Sequence, residues 1–296
     1  MSCVIIAGGT GLIGRRLGFA LKERGYKVIV LSRRSISFSF GEVKKWDGVH
    51  VPSDLVKEPI LAFVNLAGAS IAERRWTSAY KQVLWESRVN TTEGIVEWLR
   101  EYRPEVRLLS ASAIGFYGAT LLQEELTEES PSGEDFLAGL VQAWEGAAQK
   151  APQSPLIFRI GIVLSPEGGA WPRFLGAFRW GIGFYFAPGQ QGFSWIHIED
   201  VVKAFIWGIE NPEKRGVYNL TAPEPVSAKK FAKAIGKMRG THLLLPLPEA
   251  LLKGVLGERA KLLTRGAYVK PARLLTEGFS FKYPTLHAAL GALLRS

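Results

Sequence analysis

The chain has 296 residues, 47% hydrophobic and 22% charged, which are ordinary values for a soluble globular protein of one large or two modest domains. Its single cysteine, Cys3, excludes an internal disulfide and fits a reducing compartment. The net charge of +10 comes from scattered basic doublets, without a basic block, zinc-finger spacing or RNA-binding signature, so phosphorylated small ligands are expected as partners rather than nucleic acid.

The first predicted element is a buried parallel strand, Cys3-Val4-Ile5-Ile6-Ala7, and a helical pattern follows from Arg15 to Arg24. Gly8 allows a tight turn between them, Gly11 lets backbone approach a pyrophosphate, and Gly14 lets the helix pack closely on the strand. Because the start of a helix offers unpaired N–H groups to phosphate, this strand–turn–helix context predicts dinucleotide binding. The predicted contacts from the turn are Gly8, Thr10, Gly11, Leu12, Ile13 and Gly14.

The second predicted strand, Lys27 to Leu31, ends in Ser32-Arg33-Arg34. An NAD-preferring site usually carries Asp or Glu at this place to accept a hydrogen bond from the ribose 2′-hydroxyl, and neither acid is present. Guanidinium groups suit a 2′-phosphate instead, so Ser32, Arg33 and Arg34 predict NADP(H) as the cofactor. The alternative is a solvated basic turn.

Strands and helices continue to alternate along the chain, which predicts an α/β fold with a Rossmann-type doubly wound parallel sheet. The later strands are predicted over 61–67, 106–110 and 156–160, and the helices over 78–102 and 136–150. A long glycine- and aromatic-rich segment, about 166–195, is expected to be an irregular binding loop or lid. A smaller C-terminal substrate or lid region completes the predicted architecture.

The fifth strand leads into Ser110-Ala111-Ser112-Ala113-Ile114-Gly115-Phe116-Tyr117-Gly118, which resembles the serine segment of extended short-chain dehydrogenase/reductases, the nucleotide-sugar epimerase group. More closely, the chain resembles the YfcH-like atypical branch of that group. The other matching pieces are the 8–14 turn, Val64-Asn65-Leu66-Ala67-Gly68, Arg74-Arg75-Trp76, Glu86-Ser87-Arg88, Ser194-Trp195-Ile196-His197-Ile198 and Gly278-Phe279-Ser280-Phe281-Lys282-Tyr283-Pro284. The resemblance implies a Rossmann domain over 1–245 and a family-specific C-terminal extension over 246–296.

In the wider superfamily, a Ser or Thr, a Tyr and a Lys exchange protons with the substrate while NAD(P) exchanges a hydride. Ser112 matches the Ser, but no tyrosine of this chain is followed by Lys in a Tyr-x-x-x-Lys pattern. The positions where that pair is expected, near Leu137 and Val141, are aliphatic. Tyr117 and His197 are therefore the alternative proton-transfer candidates. Each has a structural alternative, as an aromatic plug and as a histidine bonded to backbone.

The resemblance also implies further ligand contacts. Arg74, Arg75 and Trp76 are expected over the carboxyl edge of the sheet, where they suit a phosphorylated or carboxylated substrate; a solvated turn is the alternative. We expect them to face His197 and the 166–195 loop across one cleft, with Ser112 at its floor. The implied cofactor contacts beyond the glycine turn are Leu66, Ala67, Gly68, Arg88, Ser110 and Ile162. No metal site is predicted.

Two functions remain open on this sequence. The first is an NADP-dependent oxidoreductase or epimerase acting on a small anionic or sugar-phosphate ligand, such as a nucleotide sugar. The second is a non-catalytic NADPH-binding regulator or sensor, a role suggested by relatives that carry a cell-division-inhibitor label. No apolar stretch is long enough to span a bilayer and no room remains for a signal peptide before residue 3, so a cytoplasmic or organelle-matrix location is expected. Oligomeric state is undetermined.

Overall fold

The computed structural model describes residues 2–120, 124–178 and 180–295. The strands are β1 (Cys3–Ala7), β2 (Lys27–Ser32), β3 (Glu42–Lys45), β4 (Ile60–Asn65), β5 (Arg107–Ala113), β6 (Glu125–Leu126), β7 (Leu156–Ile160), β8 (Ile162–Ser165), β9 (Gly168–Gly169), β10 (Ile182–Phe186), β11 (Gly192–Phe193), β12 (Trp195–His197), β13 (Gly216–Leu220), β14 (Val226–Ser227), β15 (Leu243–Leu247) and β16 (Tyr268–Val269). The α-helices are α1 (Leu12–Glu23), α2 (Ser78–Glu86), α3 (Val89–Tyr102), α4 (Phe136–Gln149), α5 (Trp171–Gly176), α6 (Ile198–Glu210), α7 (Ala228–Met238), α8 (Glu249–Leu256), α9 (Lys261–Thr264), α10 (Ala272–Thr276) and α11 (Leu286–Leu293). Short 3-10 helices cover Ser53–Lys57, Ile114–Tyr117 and Gly257–Ala260.

The centre of the molecule is a seven-stranded parallel sheet in the order β13-β7-β5-β4-β1-β2-β3. Strand order reverses beside β1, because the chain runs outward through β2 and β3 and then returns to place β4 on the other side of β1. Such a reversal opens a crevice at the carboxyl ends of the strands, where ligands bind in doubly wound folds. The predicted Rossmann-type α/β fold is confirmed.

Helices cover both faces of this sheet. Every residue of β1 is buried, as expected for a parallel strand between two helical layers. Ile6 belongs to the apolar cluster that includes Leu17 of α1 and Phe205 of α6. Ile5, whose side chain points to the opposite face, belongs to the cluster that includes Leu99 of α3.

The helix predicted over 78–102 is two helices, α2 and α3, separated at Ser87 and Arg88. The Ser87 hydroxyl donates to the carbonyl of Leu84 and accepts from the N–H of Ala69. The side chain of Ser87 therefore holds the end of α2 against the segment that follows β4. A periodicity of apolar residues does not report such a break, since both helices continue the same apolar pattern.

The segment 166–195, expected to be irregular, contains the short elements β9, α5, β10 and β11 and the first residue of β12. Arg179, within it, lies outside the described residues. The aromatic side chains Trp171, Phe178 and Phe193 are buried and belong to a third apolar cluster, together with Phe231 of α7. Burial of these rings accompanies regular elements in a segment that the sequence predicted to be an irregular loop or lid.

The C-terminal extension packs on the rest of the chain. β16 pairs with β6, and Leu274 and Phe279 belong to the apolar cluster on the α1 face of the central sheet. α11 places Leu290 in the third cluster. Within the described ranges, no helix is both long and apolar enough to cross a membrane.

Candidate functional site

The glycine turn after β1 lies at the strand-order reversal. Gly8 has φ +77°, and a Cβ atom there would stand 2.5 Å from the carbonyl carbon and oxygen of Leu66 at the end of β4. A Cβ atom on Gly14 would stand 2.5 Å from the Cα atom of Gly9. Both positions therefore require glycine because backbone approaches backbone, as the sequence predicted.

The start of α1 is open to a ligand. Gly11 is its N-cap, and no side chain of the described residues caps the helix by a hydrogen bond. The N–H groups of Leu12, Ile13 and Gly14 belong to the first turn, where an α-helix has no internal acceptors. Thr10 is exposed beside them. The geometry offers a glycine-lined helix end that suits a pyrophosphate.

Ser32, Arg33 and Arg34 follow β2 in a local turn. The Ser32 hydroxyl is buried and accepts from the N–H of Arg34 at 3.0 Å while donating to the Arg34 carbonyl at 2.9 Å. Ser32 thus shapes the turn with its hydroxyl. Arg33 and Arg34 are exposed, and within the described ranges no carboxylate pairs with either guanidinium. Both cations are available to an anion.

Leu66, Ala67 and Gly68 follow β4 on the other side of the turn. Buried Asn65 orients this segment, because its Oδ1 accepts from the N–H of Ala67 and its Nδ2 donates to Thr92. Arg88 lies against Gly68, with its Cζ atom 3.1 Å from where a Gly68 Cβ atom would be. Arg88, an implied cofactor contact, therefore lies beside the segment that follows β4.

Arg88 is held without a carboxylate partner in the described part of the chain. Its Nη2 donates to the Ala69 carbonyl at 2.9 Å, and its guanidinium lies 5.4 Å from the ring centre of Trp144. Burial lowers the pKa of Arg88 to about 10, because the charged form is poorly solvated there. A negatively charged ligand in the adjacent crevice would stabilise this cation.

Ser110 and Ile162 are less available than the resemblance implied. The Ser110 hydroxyl is buried and donates to the Ala111 carbonyl at 3.0 Å. The N–H of Ile162 donates to the Ser194 carbonyl and that of Gly161 to the Leu220 carbonyl. Both N–H groups are therefore bonded within the protein, and neither is free to donate a hydrogen bond to the cofactor.

Ser112 lies in a buried charged network. Its hydroxyl donates to Glu145 Oε1 at 2.5 Å, and Arg159 donates to both oxygens of that carboxylate at 2.8 Å. Ser112, Glu145 and Arg159 are only 3%, 4% and 5% exposed. The register of β5 with β7 pairs Ser112 with Arg159, so that α4 places Glu145 over both. The Ser112 proton is therefore directed at Glu145.

Tyr117 completes this network. Its hydroxyl accepts from Arg159 Nη1 at 3.1 Å and lies 2.7 Å from Asn219 Oδ1 and 2.8 Å from the Thr127 carbonyl. Burial raises the pKa of Tyr117 above its ordinary value. The geometry matches the structural alternative given for Tyr117, a buried aromatic plug, and not an exposed proton donor.

His197 is the N-cap of α6. Its Nδ1 accepts from the N–H of Glu199 at 3.2 Å, and its ring centre lies 4.0 Å from that of Tyr283 in the extension. Burial lowers the pKa of His197 to about 4, so the imidazole is neutral near pH 7. This is the backbone-bonded histidine of the structural alternative.

The predicted single cleft around Arg74, Arg75 and Trp76 is not what the structure shows. The side chain of Arg74 is 73% exposed, and Arg75 donates to the Gly254 carbonyl of α8. Trp76 is half-buried and donates to the Ile71 carbonyl. Ser112 and His197 cannot form an open floor or wall facing them, since both are buried by packing.

Glu145 and Arg159 are the site residues that the sequence reasoning missed. Leu137 and Val141 lie 3.6 and 3.7 Å from where a Gly115 Cβ atom would be, so the aliphatic residues face the serine segment as expected. Glu145 follows Val141 by four residues on the same face of α4. A charged residue inside the apolar β7 sequence was the available signal for Arg159.

The chain is similar to known proteins along nearly its whole length. Residues 4–221 match the NAD dependent epimerase/dehydratase family, and residues 247–293 match a domain of unknown function, DUF1731. A chloroplastic epimerase family protein SDR39U1 homolog of Arabidopsis thaliana is 36% identical, covering 99% of this chain and 86% of its own. The epimerase family protein Mb2239 of Mycobacterium bovis is 37% identical, covering 97% and 96%. The crystal structure of human epimerase family protein SDR39U1 with NADPH superposes with a TM-score of 0.90 at 32% identity, covering 99% of both chains.

Proposed function

The chain belongs to the NAD dependent epimerase/dehydratase family, and from this premise we propose that it binds NADP(H) in preference to NAD(H) as an oxidoreductase or epimerase of a small anionic ligand. The observation that carries the cofactor proposal lies at the end of β2. Arg33 and Arg34 are exposed there without a carboxylate partner among the described residues. The Asp or Glu that an NAD-preferring site carries at this position is absent. A 2′-phosphate is the cofactor group that would satisfy both charges.

The rest of the crevice fits a dinucleotide. The glycine turn and the start of α1 would hold the pyrophosphate, and Leu66, Ala67 and Gly68 would flank the adenosine ribose. Arg88, buried without a counter-ion in the described part of the chain, supplies a further positive charge. The bound cofactor would supply hydride exchange with the substrate. The human relative is named as a complex with NADPH, which supports the same choice here.

The cofactor preference is tested by calorimetric titration of the whole chain with NADPH and with NADH. We expect NADPH to bind roughly ten- to a hundredfold more tightly, because a hydrogen bond to a charged phosphate contributes ~1.5–3 kcal/mol. Arg33→Ala is expected to remove most of this difference. Arg24→Ala, at the opposite end of α1, is the matched control and leaves it unchanged. Equal affinities for the two cofactors in the wild type would contradict the proposal.

A proton-transfer step in this protein would differ from the usual one. Leu137 and Val141 occupy the positions of the Tyr-Lys pair, and the Ser112 proton is directed at Glu145. Tyr117 and His197 are both buried and bonded within the protein. We therefore propose that the residues of the crevice bind and orient the ligands. None of Ser112, Tyr117 and His197 is positioned as the proton donor.

The second candidate function, a non-catalytic NADPH-binding regulator, rests on the missing Tyr-x-x-x-Lys pattern. Ser112, Tyr117 and His197 each have an intramolecular partner, so none of them is an evident replacement for that pair. A panel of carbonyl compounds and nucleotide sugars, followed by NADPH absorbance and by epimer analysis, separates the two. Turnover of any member favours the enzyme; saturable NADPH binding without turnover across the panel favours the regulator.

We also propose the ligand class and the compartment. Arg74 and Arg75 remain the candidates for binding a phosphate or carboxylate of the substrate, although Arg75 already binds the carbonyl of Gly254. The buried, reduced Cys3 and the absence of charge blocks support a cytoplasmic or organelle-matrix protein that binds small molecules. Native mass spectrometry of the purified protein would show whether a phosphorylated ligand is retained.

A further inference from the structure

A third basic residue, Lys45, lies at the same carboxyl edge as Arg33 and Arg34 after β2. β3 runs parallel to β2, and their register pairs Lys45 with Ser32. The N–H of Trp46 donates to the Ser32 carbonyl at 2.9 Å, which extends the pairing by one residue. Lys45 is thus fixed by backbone pairing beside the turn that carries Arg33 and Arg34.

The two consecutive lysines of β3 have different surroundings. The ammonium group of Lys44 lies 2.8 Å from Glu42 Oε1 and 2.8 Å from Asp54 Oδ2, and these carboxylates raise its pKa. Lys45 points to the opposite face of the strand, is exposed, and pairs with no carboxylate in the part of the chain that the structure describes. Lys44 is thus paired with two carboxylates of the protein, whereas Lys45 is available to a ligand.

Lys45 lines a cavity of about 430 Å³ together with Arg34. The remaining lining residues are Ser35, Ile36, Ser37 and Val43. The lining therefore combines two cations, two hydroxyl groups and two apolar side chains, and contains no carboxylate. Two cations that face one cavity repel each other unless an anion lies between them. Convergent polar groups on apolar walls are typical of a small-molecule subsite.

We propose that Lys45 contributes to the preference for NADP(H) by binding the 2′-phosphate from β3, opposite the guanidinium of Arg34. The inference rests on the proposed cofactor and adds to it a residue 11 positions after Arg34, on a different strand. Ammonium suits this role because it donates to a phosphate from several directions. Ser35 and Ser37 supply hydroxyl donors to the same anion.

The test compares two adjacent substitutions, Lys45→Met and Lys44→Met, in the full chain. NADPH and NADH are titrated by calorimetry, and so are 2′,5′-ADP and 5′-AMP, which differ only by the 2′-phosphate. We expect Lys45→Met to weaken NADPH and 2′,5′-ADP roughly three- to tenfold, a value reduced for solvent exposure, and to leave NADH and 5′-AMP unchanged. Lys44→Met is expected to leave the affinity ratios of NADPH to NADH and of 2′,5′-ADP to 5′-AMP unchanged. Lys45→Arg is expected to retain the preference for NADPH. Because the side chain of Lys45 is exposed, thermal unfolding of the variants is expected to match that of the wild type.

The outcomes separate this inference from the function on which it rests. A wild type that prefers NADPH, together with an unchanged Lys45→Met, overturns the role of Lys45 and leaves the proposed cofactor standing. Equal loss of affinity for all four ligands would also overturn the role of Lys45. Its charge would then attract every phosphorylated ligand rather than bind the 2′-phosphate. A wild type without preference overturns the proposed cofactor and the role of Lys45 together.

Discussion

At the scale of single residues, the buried network around Ser112 decides what the serine can do. A hydroxyl whose proton is held by a carboxylate cannot donate that proton to a substrate carbonyl at the same time. Arg159 compensates the buried charge of Glu145 through two parallel hydrogen bonds. The network therefore stabilises the junction of β5, α4 and β7 behind the crevice.

Removal of Glu145 alone is expected to be strongly destabilising. Glu145→Met leaves the guanidinium of Arg159 buried without a carboxylate partner, which costs about 3–5 kcal/mol of unfolding free energy. The double variant Glu145→Met/Arg159→Met removes both charges and is expected to lose less than the single variant. Urea unfolding of the three proteins measures this. A single variant within about 1 kcal/mol of the wild type would show that the pair contributes as little as an exposed one.

At the scale of elements, the ends of helices position Arg88, the open start of α1 and His197. The break between α2 and α3 leaves Arg88 as the N-cap of α3 and sets its side chain against Gly68. The start of α1 has no side-chain cap in the described residues and faces the crevice, whereas α6 is capped by His197. One helix end is thus available to a ligand, and the other is closed by a neutral imidazole.

The cap of α6 predicts a pH dependence. The pKa of His197 is about 4 in the folded chain and about 6.5 when unfolded, because burial disfavours the imidazolium. Above pH 6.5 both states are neutral; between pH 6.5 and 4 only the unfolded state binds the proton, so stability falls as the pH falls. The loss reaches roughly 2 kcal/mol at pH 4.5. Glu199 opposes this shift, while Lys282 and Arg16 reinforce it.

His197→Asn tests this assignment. Asparagine is a favourable N-cap that can accept from the N–H of Glu199 and does not titrate. We expect the variant to lose less unfolding free energy than the wild type between pH 7 and pH 4.5, by roughly 2 kcal/mol, in urea unfolding. Parallel pH profiles of the two proteins would mean that His197 titrates normally in the folded state.

At the scale of the whole molecule, the C-terminal extension joins parts of the fold that the central sheet leaves separate. Backbone carbonyls of Val269 and Lys270 accept from Thr221 and Asn219 beside β13. Further along, Asp200 of α6 accepts from the N–H groups of Lys282 and Tyr283. α8 binds the segment before α2 through the hydrogen bond from Arg75. The extension therefore contacts both the crevice side and the α6 side of the molecule.

A chain ended after residue 245 is expected not to unfold cooperatively. It loses the buried side chains of Leu274, Phe279 and Leu290, each contributing about 2 kcal/mol, against a total stability of only about 5–15 kcal/mol. Thermal unfolding by circular dichroism measures this, and addition of the separate 246–296 segment is the control, expected to restore part of the transition. A sharp transition near that of the full chain would instead show that residues 1–245 fold independently of the extension.

The sequence by itself determined the Rossmann fold, the glycine turn and the basic residues after β2. These features are local: a turn that requires Gly8, a buried strand and the residues that follow it are adjacent in the chain, and their chemistry follows from spacing. The sequence also excluded the Tyr-Lys pair, since a missing motif needs no coordinates.

Tertiary structure decided which polar groups are free to bind a ligand and which are bonded within the protein. Ser112, Tyr117 and His197 each meet partners from elements far along the chain, and spacing cannot report those partners. The register of β2 with β3 places Lys45 beside the turn after β2. Because successive side chains of a strand point to opposite faces, Lys44 instead pairs with two carboxylates. Burial and pairing are properties of packing between distant segments, so the side chains left for a ligand become visible only after the chain has folded.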